Sequence, residues 1–303
     1  MTKIVFFGNE QLAQGLENPI TPIFDALIVN NYEIAALVLP RDPSSKSHPN
    51  RKKAIVAAAE RHNIPIIFTD QETDLDERLR SLNAKIGVLA SFGKIVKQST
   101  INVFPCGIVN IHPSLLPKYR GSTPIETAIL NGDDETGVSL MQLVAKMDAG
   151  GVFAAGKIAL IGDETKQELY EKLAIFGAEM LINNLPQIIS GELQPTPQNE
   201  SGATYTEQLA KSSGDLNPTT MTATECERKI RAFIEFPKTR LDFHGQETII
   251  TAAKVLPDFT GDDWPDVVKC ANNTFLQIQE LINPKSGKKM KVTDYFNGRK
   301  DVL

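Results

Sequence analysis

Cysteine, histidine and long apolar runs are scarce in this sequence of 303 residues. Its 3 cysteines (Cys106, Cys226 and Cys270) show no C-x-x-C spacing, and its 4 histidines are scattered without the spacing of metal ligands. These counts do not indicate a catalytic metal, and they fit a reducing compartment. The longest apolar runs, residues 34–39 and 86–90, are far shorter than the roughly 20 residues that span a bilayer, so no transmembrane helix is expected.

Sequence signals of two common enzyme classes and of secretion are also missing. Ser114 has no G-x-S-x-G setting, which disfavours a nucleophilic serine, and the opening FFGNEQLAQG lacks the G-x-G-x-x-G of dinucleotide sites. The N-terminus, MTKIVFFGNE, enters a strand at once and has neither the extended apolar region nor the cleavage site of a secretory signal. We therefore expect a cytoplasmic protein.

The chain carries little excess charge. Its net charge of −5 argues against a protein that coats nucleic acid non-specifically, although it is compatible with a local basic surface. Two basic segments stand out, namely Arg51, Lys52 and Lys53, and a tail with Lys285, Lys288, Lys289, Lys291, Arg299 and Lys300. On charge alone, the more common interpretation of such segments is a solvated surface.

Residues 3–189 alternate short β-branched runs with helix-like stretches, which predicts an α/β fold with a mostly parallel twisted sheet and flanking helices. The predicted strands are the apolar segments KIVFFG, EIAALVLP, IPIIF, KIGVLAS and GIVNI, followed by SLMQLVAK and VFAAGKIAL. RKKAIVAAAERHN and TDLDERLRSLN are predicted helices, the second with Thr73 as its N-cap. The amphipathic stretch KQELYEKLAIFGAEMLINNLPQII closes this unit.

Residues 190–204 are rich in Pro, Gly, Ser and Gln and have no periodicity, which predicts a linker. Residues 205–303 follow a different pattern. Thr222 and Glu225 have the spacing of a capping box, and Cys226, Ile230 and Phe233 fall on one face of the same helix. Two hairpins, turning at residues 244–245 and 272–273, then predict a small β-barrel domain.

The segment VNIHPSLLPKYRG, residues 109–121, carries the first sign of chemistry. Asn110 and His112 are two positions apart on a predicted strand, so both point to one face, and Pro113 ends the strand. Ligand sites of open parallel sheets lie beyond the carboxyl ends of the strands. There, two convergent donors could hold the oxyanion that forms when a nucleophile adds to a carbonyl, and His112 could move a proton.

A histidine in this role needs an orienting acceptor, and Asp148 in KMDAGG is the best candidate, since Gly150 and Gly151 let the backbone approach a ligand. From spacing alone, however, a structural histidine near a strand end is the more common case. The residues by themselves therefore leave a catalytic and a structural interpretation open.

The segment NIHPSLLPKYRG, followed by TPIETAILNGDDETGVSLMQLVAKMDAGG, resembles the signature of the formyltetrahydrofolate-dependent formyltransferases, whose catalytic domain is Rossmann-like. The resemblance implies 10-formyltetrahydrofolate as co-substrate and no metal. It implies that Asn110 and His112 stabilise the oxyanion while Asp148 orients His112 and assists proton transfer to the leaving folate nitrogen. It also implies a folate site lined by Phe92, Gly93, Lys94, Ile95, Val96, Ser114, Leu115, Leu116 and Pro117.

In the second half, YTEQLAKSSGDLN, CERKIRAFIEFPKTRLDFHGQ and SGKKMKVTDYFNGRK resemble the OB-like C-terminal domain of the family members that formylate methionyl initiator tRNA for translation initiation. By this resemblance a monomer is expected, with residues 1–189 as catalytic domain and 205–303 as tRNA-binding domain. The implied tRNA contacts are Arg51, Lys52, Lys53, Lys288 and Lys289. His244 and Trp264 are interpreted as a turn residue and a packing or barrel-rim residue.

The sequence departs from the family pattern at three places. FFGNEQLA replaces the usual opening after the first strand, the loop 41–50 lacks a glycine- and arginine-rich pattern, and the second domain lacks one hairpin segment between residues 258 and 267. Three alternatives remain: a formyltransferase acting on an amino-sugar nucleotide or other small amine, a formyltetrahydrofolate hydrolase, and a non-catalytic RNA-binding module. The basic tail favours a tRNA acceptor, and the intact Asn110, His112 and Asp148 disfavour the last alternative.

Overall fold

The computed structural model describes residues 1–8, 21–41, 54–257, 259 and 264–297. Several predicted features lie outside these residues. They are the segment that follows the first strand, nearly all of the loop 41–50, the candidate tRNA contacts Arg51, Lys52 and Lys53, the basic residues Arg299 and Lys300, and residues 258 and 260–263.

The chain divides into two compact units. The first comprises residues 1–124, 135–159 and 170–207, and the second comprises residues 125–134, 160–169 and 208–303. Two short stretches that precede residue 190 thus group with the second unit, and residues 190–207 group with the first. The division into domains at residues 189 and 204 stays a prediction.

The first unit is built on a seven-stranded sheet with the order β3-β2-β1-β4-β5-β6-β7. Its strands are β1 (Lys3–Gly8), β2 (Glu33–Leu39), β3 (Ile66–Phe68), β4 (Ile86–Ala90), β5 (Ile108–His112), β6 (Glu135–Gln142) and β7 (Val152–Ala159). β1 to β5 are parallel to one another, whereas β6 pairs antiparallel with β5 on one side and with β7 on the other. The predicted mostly parallel sheet is confirmed, and its central strands are buried from end to end because helices cover both faces.

Six helices lie in the described part of the chain up to residue 190. They are α1 (Pro22–Val29), α2 (Ala54–Arg61), α3 (Leu75–Ser81), α4 (Gln98–Ile101), α5 (Pro124–Asn131) and α6 (Lys166–Ser190). The prediction of Thr73 as N-cap of α3 is wrong, because the Asp74 carboxylate accepts the hydrogen bond from the Glu77 N–H at 2.9 Å. Asp is a stronger N-cap than Thr, and the cap lies one residue later in the chain. Among the described residues, no helix is long and apolar enough to cross a membrane.

The strand order places a topological switch point between β1 and β4. The chain runs outward from β1 through β2 to β3 and then returns to the other side of β1 as β4. Crossover connections therefore diverge at the carboxyl ends of β1 and β4, which leaves a crevice where open α/β sheets bind ligands. The segment after β4 and the end of β5 both lie at this edge.

The second unit contains a curled antiparallel sheet with the order β10-β11-β9-β8, and β12 pairs with β11 beside β10. Its strands are β8 (Thr239–Phe243), β9 (Gln246–Leu256), β10 (Val267–Cys270), β11 (Thr274–Ile282) and β12 (Lys289–Lys291), and its helices include α7 (Ala223–Ala232) and α8 (Val292–Asn297). Both predicted hairpins are confirmed, with left-handed residues at their turns: His244, Gly245, Asn272 and Asn273. The sheet is consistent with the small barrel-like domain that the sequence predicts.

The capping box of α7 is present as predicted. The Thr222 hydroxyl accepts from the Glu225 N–H at 3.3 Å, and the Glu225 carboxylate accepts from the Thr222 N–H at 2.7 Å. Cys226, Ile230 and Phe233 are all buried, and Cys226 and Ile230 of α7 pack into the core of the second unit.

We expect Thr222→Ala to lower the free energy of unfolding by about 1 kcal/mol, because the helix loses its N-terminal hydrogen bond. Thr220→Ala is the matched control, since the exposed Thr220 hydroxyl makes only a 3.4 Å contact outside the helix. Urea unfolding followed by circular dichroism measures both variants. Equal midpoints for the two would contradict the stabilising role of the cap.

Candidate active site

Asn110 and His112 lie side by side at the carboxyl end of β5, as the two-residue spacing predicts. Both side chains are buried, with 6% and 4% of their surface exposed. Ile111 points to the opposite face, where a Cβ atom on Gly177 of α6 would lie 2.9 Å from its Cγ2 atom. Helix α6 thus covers the apolar side of β5 and leaves the polar pair on the other face.

The His112 ring lies between two acceptors. Its Nε2 atom is 2.9 Å from the carbonyl oxygen of Tyr119, and because a carbonyl only accepts, Nε2 carries a proton and donates. Its Nδ1 atom is 3.8 Å from Oδ2 of Asp148, which is an ion-pair distance but longer than a hydrogen bond. The structure therefore brings His112 and Asp148 together, and a proton on Nδ1 would face a carboxylate.

Asp148 is held in an uncommon backbone conformation. Its φ angle is +44°, in the left-handed region that non-glycine residues rarely adopt. Its Oδ2 atom accepts a 2.7 Å hydrogen bond from the Gly121 N–H, which ties the carboxylate to the loop after β5. Just beyond it, a Cβ atom on Gly150 would lie 1.8 Å from the carbonyl oxygen of Gln142, so only glycine fits there.

The Asn110 carboxamide forms no hydrogen bond with any side chain or backbone group in the described part of the chain. The residue is nevertheless buried, with 6% of its surface exposed. Its N–H groups are thus available to a ligand at the carboxyl edge of the sheet.

The turn after His112 is fixed by two buried hydroxyl groups. Ser139 lies opposite His112 in the β5–β6 ladder, and its hydroxyl donates to the Ser114 carbonyl at 2.8 Å and accepts from the Leu116 N–H at 3.0 Å. The Ser114 hydroxyl donates to the Lys118 carbonyl at 2.6 Å. Ser114 is fully buried and committed to this bond, while Leu115, Leu116 and Pro117 remain partly exposed on the turn.

The other predicted folate segment follows β4. Phe92 and Val96 point into the core, so they present only backbone groups to the crevice. Gly93 has a φ of +73° and open space where a Cβ would be, and Ile95 is 80% exposed beside it. The Lys94 ammonium donates to the Pro40 carbonyl at 2.7 Å and to the Thr69 hydroxyl at 3.2 Å, which anchors this segment to the end of β2 and the turn after β3.

Two of the candidate tRNA contacts, Lys288 and Lys289, lie in the described part of the second unit, and both are exposed. Lys288 is solvent-exposed, and the Lys289 ammonium forms a 2.6 Å ion pair with Glu280 of β11. His244 occupies the β8–β9 turn and its Nε2 atom is 2.7 Å from the Pro265 carbonyl, while Trp264 is 55% exposed and packs edge-on against Phe259.

A buried arginine joins the predicted linker, residues 190–204, to the loop of residues 119–121, which we call the site loop. Arg120 is fully buried, and its guanidinium donates to Gln198 at 2.9 and 3.1 Å, to Glu200 at 2.8 and 3.2 Å and to the Tyr205 hydroxyl at 3.0 Å. On the same loop, the Tyr119 N–H donates to the Thr204 hydroxyl at 2.8 Å. We call Arg120, Gln198, Glu200 and Tyr205 the arginine cage.

The cage also sets the charge state of Glu200. Hydrogen bonds from Arg120, and secondarily from Lys146, lower the pKa of the Glu200 carboxyl to about 2 from its ordinary 4.5. A lowered pKa means that the carboxylate stabilises the folded state above pH 4.5 and that this contribution is lost as the pH falls toward about 2.

We therefore expect Glu200→Gln to lower the melting temperature at neutral pH, because the neutral amide forms weaker bonds with the guanidinium. The difference from the wild type should shrink as the pH falls from 4.5 through about 2, because the Glu200 carboxyl then becomes uncharged like the amide. Thermal unfolding across this pH range measures it. A difference that stays constant with pH would argue against the charged bond.

Sequence reasoning missed Ser139 and the partners of Arg120. Arg120 itself lies within the quoted motif, but Gln198 and Glu200 fall in the Pro- and Gln-rich stretch, where composition indicates only a loop. A buried hydroxyl such as that of Ser139 leaves no periodic signal either. Only the long-range contacts reveal these residues.

Known protein families and proteins match this chain along nearly its whole length. Residues 3–185 match the family model described as formyl transferase, and residues 209–300 match the model described as formyl transferase, C-terminal domain. The chain is 31% identical over 312 residues to the methionyl-tRNA formyltransferase of Pediococcus pentosaceus, covering 98% of this chain and 94% of that protein. It is also 31% identical over 310 residues to the methionyl-tRNA formyltransferase of Halorhodospira halophila, covering 99% and 97%.

Among solved structures, the N-formyltransferase of Helicobacter canadensis, determined with folinic acid and dTDP-3-aminofucose, matches with a TM-score of 0.70. The match covers 92% of this chain and 99% of that chain at 20% sequence identity. At this identity the likeness shows a shared fold.

Proposed function

The chain belongs to the formyl transferase family, and we infer that it transfers the formyl group of 10-formyltetrahydrofolate to the α-amine of methionyl initiator tRNA. The observation that carries this inference is the match of both halves of the chain, together with full-length relatives named methionyl-tRNA formyltransferase. The product, N-formylmethionyl-tRNA, serves translation initiation, so we place the activity in the cytoplasm. We propose that a monomer performs it.

In this reaction Asn110 is the main oxyanion donor. The amine attacks the formyl carbon, and negative charge develops on the formyl oxygen. The Asn110 N–H groups have no other partner among the described residues, and the buried site makes a hydrogen bond to that oxygen strong. This role rests on the placement of Asn110 at the carboxyl end of β5.

His112 and Asp148 handle charge and protons. Because the Nε2–H of His112 already donates to the Tyr119 carbonyl, the ring supports the oxyanion beside Asn110 through a proton on Nδ1, which would face the Asp148 carboxylate 3.8 Å away. Asp148 orients the ring and assists the proton transfer to the leaving folate nitrogen. No covalent enzyme intermediate is required.

The two segments that lie beside Asn110, His112 and Asp148 suit a folate. Residues 92–96 offer backbone N–H and C=O groups with no side chain over Gly93, which suits the flat, polar edge of a pterin. Leu115, Leu116 and Pro117 offer an apolar wall on the turn after β5. Ser114 contributes to the wall through its position in the turn, because its hydroxyl is committed to Lys118.

We assign tRNA binding to basic residues that contact phosphates. Lys288 and Lys289 are exposed on the second unit, and Arg51, Lys52 and Lys53 are proposed from the sequence. Such contacts position the tRNA without reading its sequence.

A second candidate function is formyl transfer to an amino-sugar nucleotide. The observation that favours it is the shared fold with the Helicobacter canadensis enzyme, which was determined with such a ligand. The chain is 31% identical to the two methionyl-tRNA formyltransferases but 20% identical to that enzyme, which favours the tRNA acceptor.

The test is a transfer assay with 10-formyltetrahydrofolate and methionyl initiator tRNA, beside elongator methionyl-tRNA, an amino-sugar nucleotide and a reaction without acceptor. We expect formyl-methionyl-tRNA from the initiator alone. Transfer only to the sugar amine, or formate release without acceptor, would refute the tRNA acceptor and leave the catalytic unit as a formyl-folate enzyme.

A further inference from the structure

The Gln198 carboxamide uses its complete hydrogen-bonding capacity within the first unit. Its Oε1 atom accepts from Nε and Nη2 of Arg120 at 3.1 and 2.9 Å. Its Nε2 atom donates to the carbonyl oxygens of Asp148 and Gly150 at 2.8 and 2.7 Å. Two donors and two acceptor positions are thus filled, so this side chain has one well-defined orientation.

These bonds hold Asp148 from the side opposite to its carboxylate. A non-glycine residue with a φ of +44° is in an unfavourable backbone conformation, which persists only where its surroundings hold it. Gln198 binds the Asp148 carbonyl, and the Gly121 N–H binds its carboxylate. Backbone and side chain of this residue are therefore tied to different parts of one network.

The network reaches His112 through the site loop. Arg120 lies in the chain between Tyr119, whose carbonyl accepts from His112, and Gly121, whose N–H binds Asp148. Gln198 links the Arg120 side chain back to the Asp148 backbone. A closed ring of covalent and hydrogen bonds thus joins Gly121, Arg120, Gln198 and Asp148, and His112 is attached to it through the Tyr119 carbonyl.

We propose that Gln198 is a positioning residue for formyl transfer, acting with Arg120 to set the distance between the His112 ring and the Asp148 carboxylate. The proposal rests on the proposed function, because it assigns Gln198 a part in that reaction. Gln198 touches no reacting atom, and it acts only through Asp148 and the loop 119–121.

Two variants of equal length separate positioning from stability. In Gln198→Glu, one carboxylate oxygen still accepts from Arg120 as a charged pair, but the other faces the Asp148 and Gly150 carbonyls and repels them. In Gln198→Met, both sets of hydrogen bonds are lost. Asn199→Ala is the matched control, because among the described residues the neighbouring Asn199 side chain bonds only to Ser201.

We expect Gln198→Glu to keep a melting temperature near that of the wild type while kcat falls by about 10- to 100-fold, since a misplacement near 1 Å costs about this much. KM for 10-formyltetrahydrofolate should change by less than about 3-fold, because the folate segments are not in the ring. Gln198→Met should show a similar loss of kcat, and Asn199→Ala should match the wild type.

A second readout does not depend on activity. In the full-length protein labelled with ¹⁵N-histidine, the His112 ring resonances at a fixed pH should move in Gln198→Glu and Gln198→Met and stay in place in Asn199→Ala. Wild-type kcat together with unmoved His112 resonances in either folded Gln198 variant would overturn the proposal. An inactive wild-type protein would instead refute the proposed function, and the resonances would still decide whether Gln198 positions His112.

Discussion

Asp148→Ala is expected to lower kcat by at least ~100-fold with little change in overall folding, as for other losses of transition-state electrostatics. The substitution removes the carboxylate that faces Nδ1 of His112 at 3.8 Å and frees the Gly121 N–H. Asp148→Asn separates the two effects, because the amide oxygen still accepts from Gly121 while the charge is gone. We expect Asp148→Asn to be nearly as inactive as Asp148→Ala. Single-turnover transfer with methionyl initiator tRNA measures the activity of both variants.

Two comparisons make this result specific. Asn110→Ala should cause a loss of similar size, since it removes the donor to the formyl oxygen. Asp70→Asn, at an exposed turn after β3, should leave kcat unchanged. Near-normal turnover of purified, folded Asp148→Ala would show that this carboxylate has no part in the reaction.

Arg120→Ala should lower the free energy of unfolding by about 2–4 kcal/mol. The guanidinium is fully buried, so its removal leaves a cavity and strips charged hydrogen bonds from Gln198 and the Tyr205 hydroxyl. Arg120→Lys should recover little, because one ammonium on a flexible stem cannot replace a planar fork that reaches three acceptor side chains. Urea unfolding of the full chain measures the loss.

Lys146→Ala is the matched control for the arginine. Lys146 binds the same Glu200 carboxylate at 3.2 Å, but its side chain is 64% exposed, and exposed pairs contribute little. We expect a change below about 0.5 kcal/mol. Equal effects of the two substitutions would mean that burial of Arg120 adds nothing to the stability of the first unit.

Local patterns in the sequence were sufficient for most of the fold. The apolar runs predicted β1 to β5, the capping box predicted α7, and the two turns predicted both hairpins of the second unit. The N-cap of α3 was wrong by one residue because Thr73 and Asp74 are both good caps, and the hydrogen bond decides between them.

The candidate site was predicted only as far as its motif extends. The two-residue spacing placed Asn110 and His112 on one face of β5, because strand geometry alone requires it. The sequence named Asp148 as partner of His112, and the structure brings the two within 3.8 Å. The stretch 190–204, in contrast, was predicted as a linker, whereas Gln198, Glu200 and Thr204 pack against the site loop.

What the sequence by itself determined is the set of features that depend on neighbouring residues: strand and helix periods, caps, turns and the family signature. Tertiary structure alone decided which distant segments meet, as when Gln198 reaches Arg120 across 78 positions and Asp148 across 50. Such contacts form because a buried guanidinium and buried carbonyls must find hydrogen-bond partners, and any chain segment that the fold brings near can supply them. No local pattern records which segment that will be.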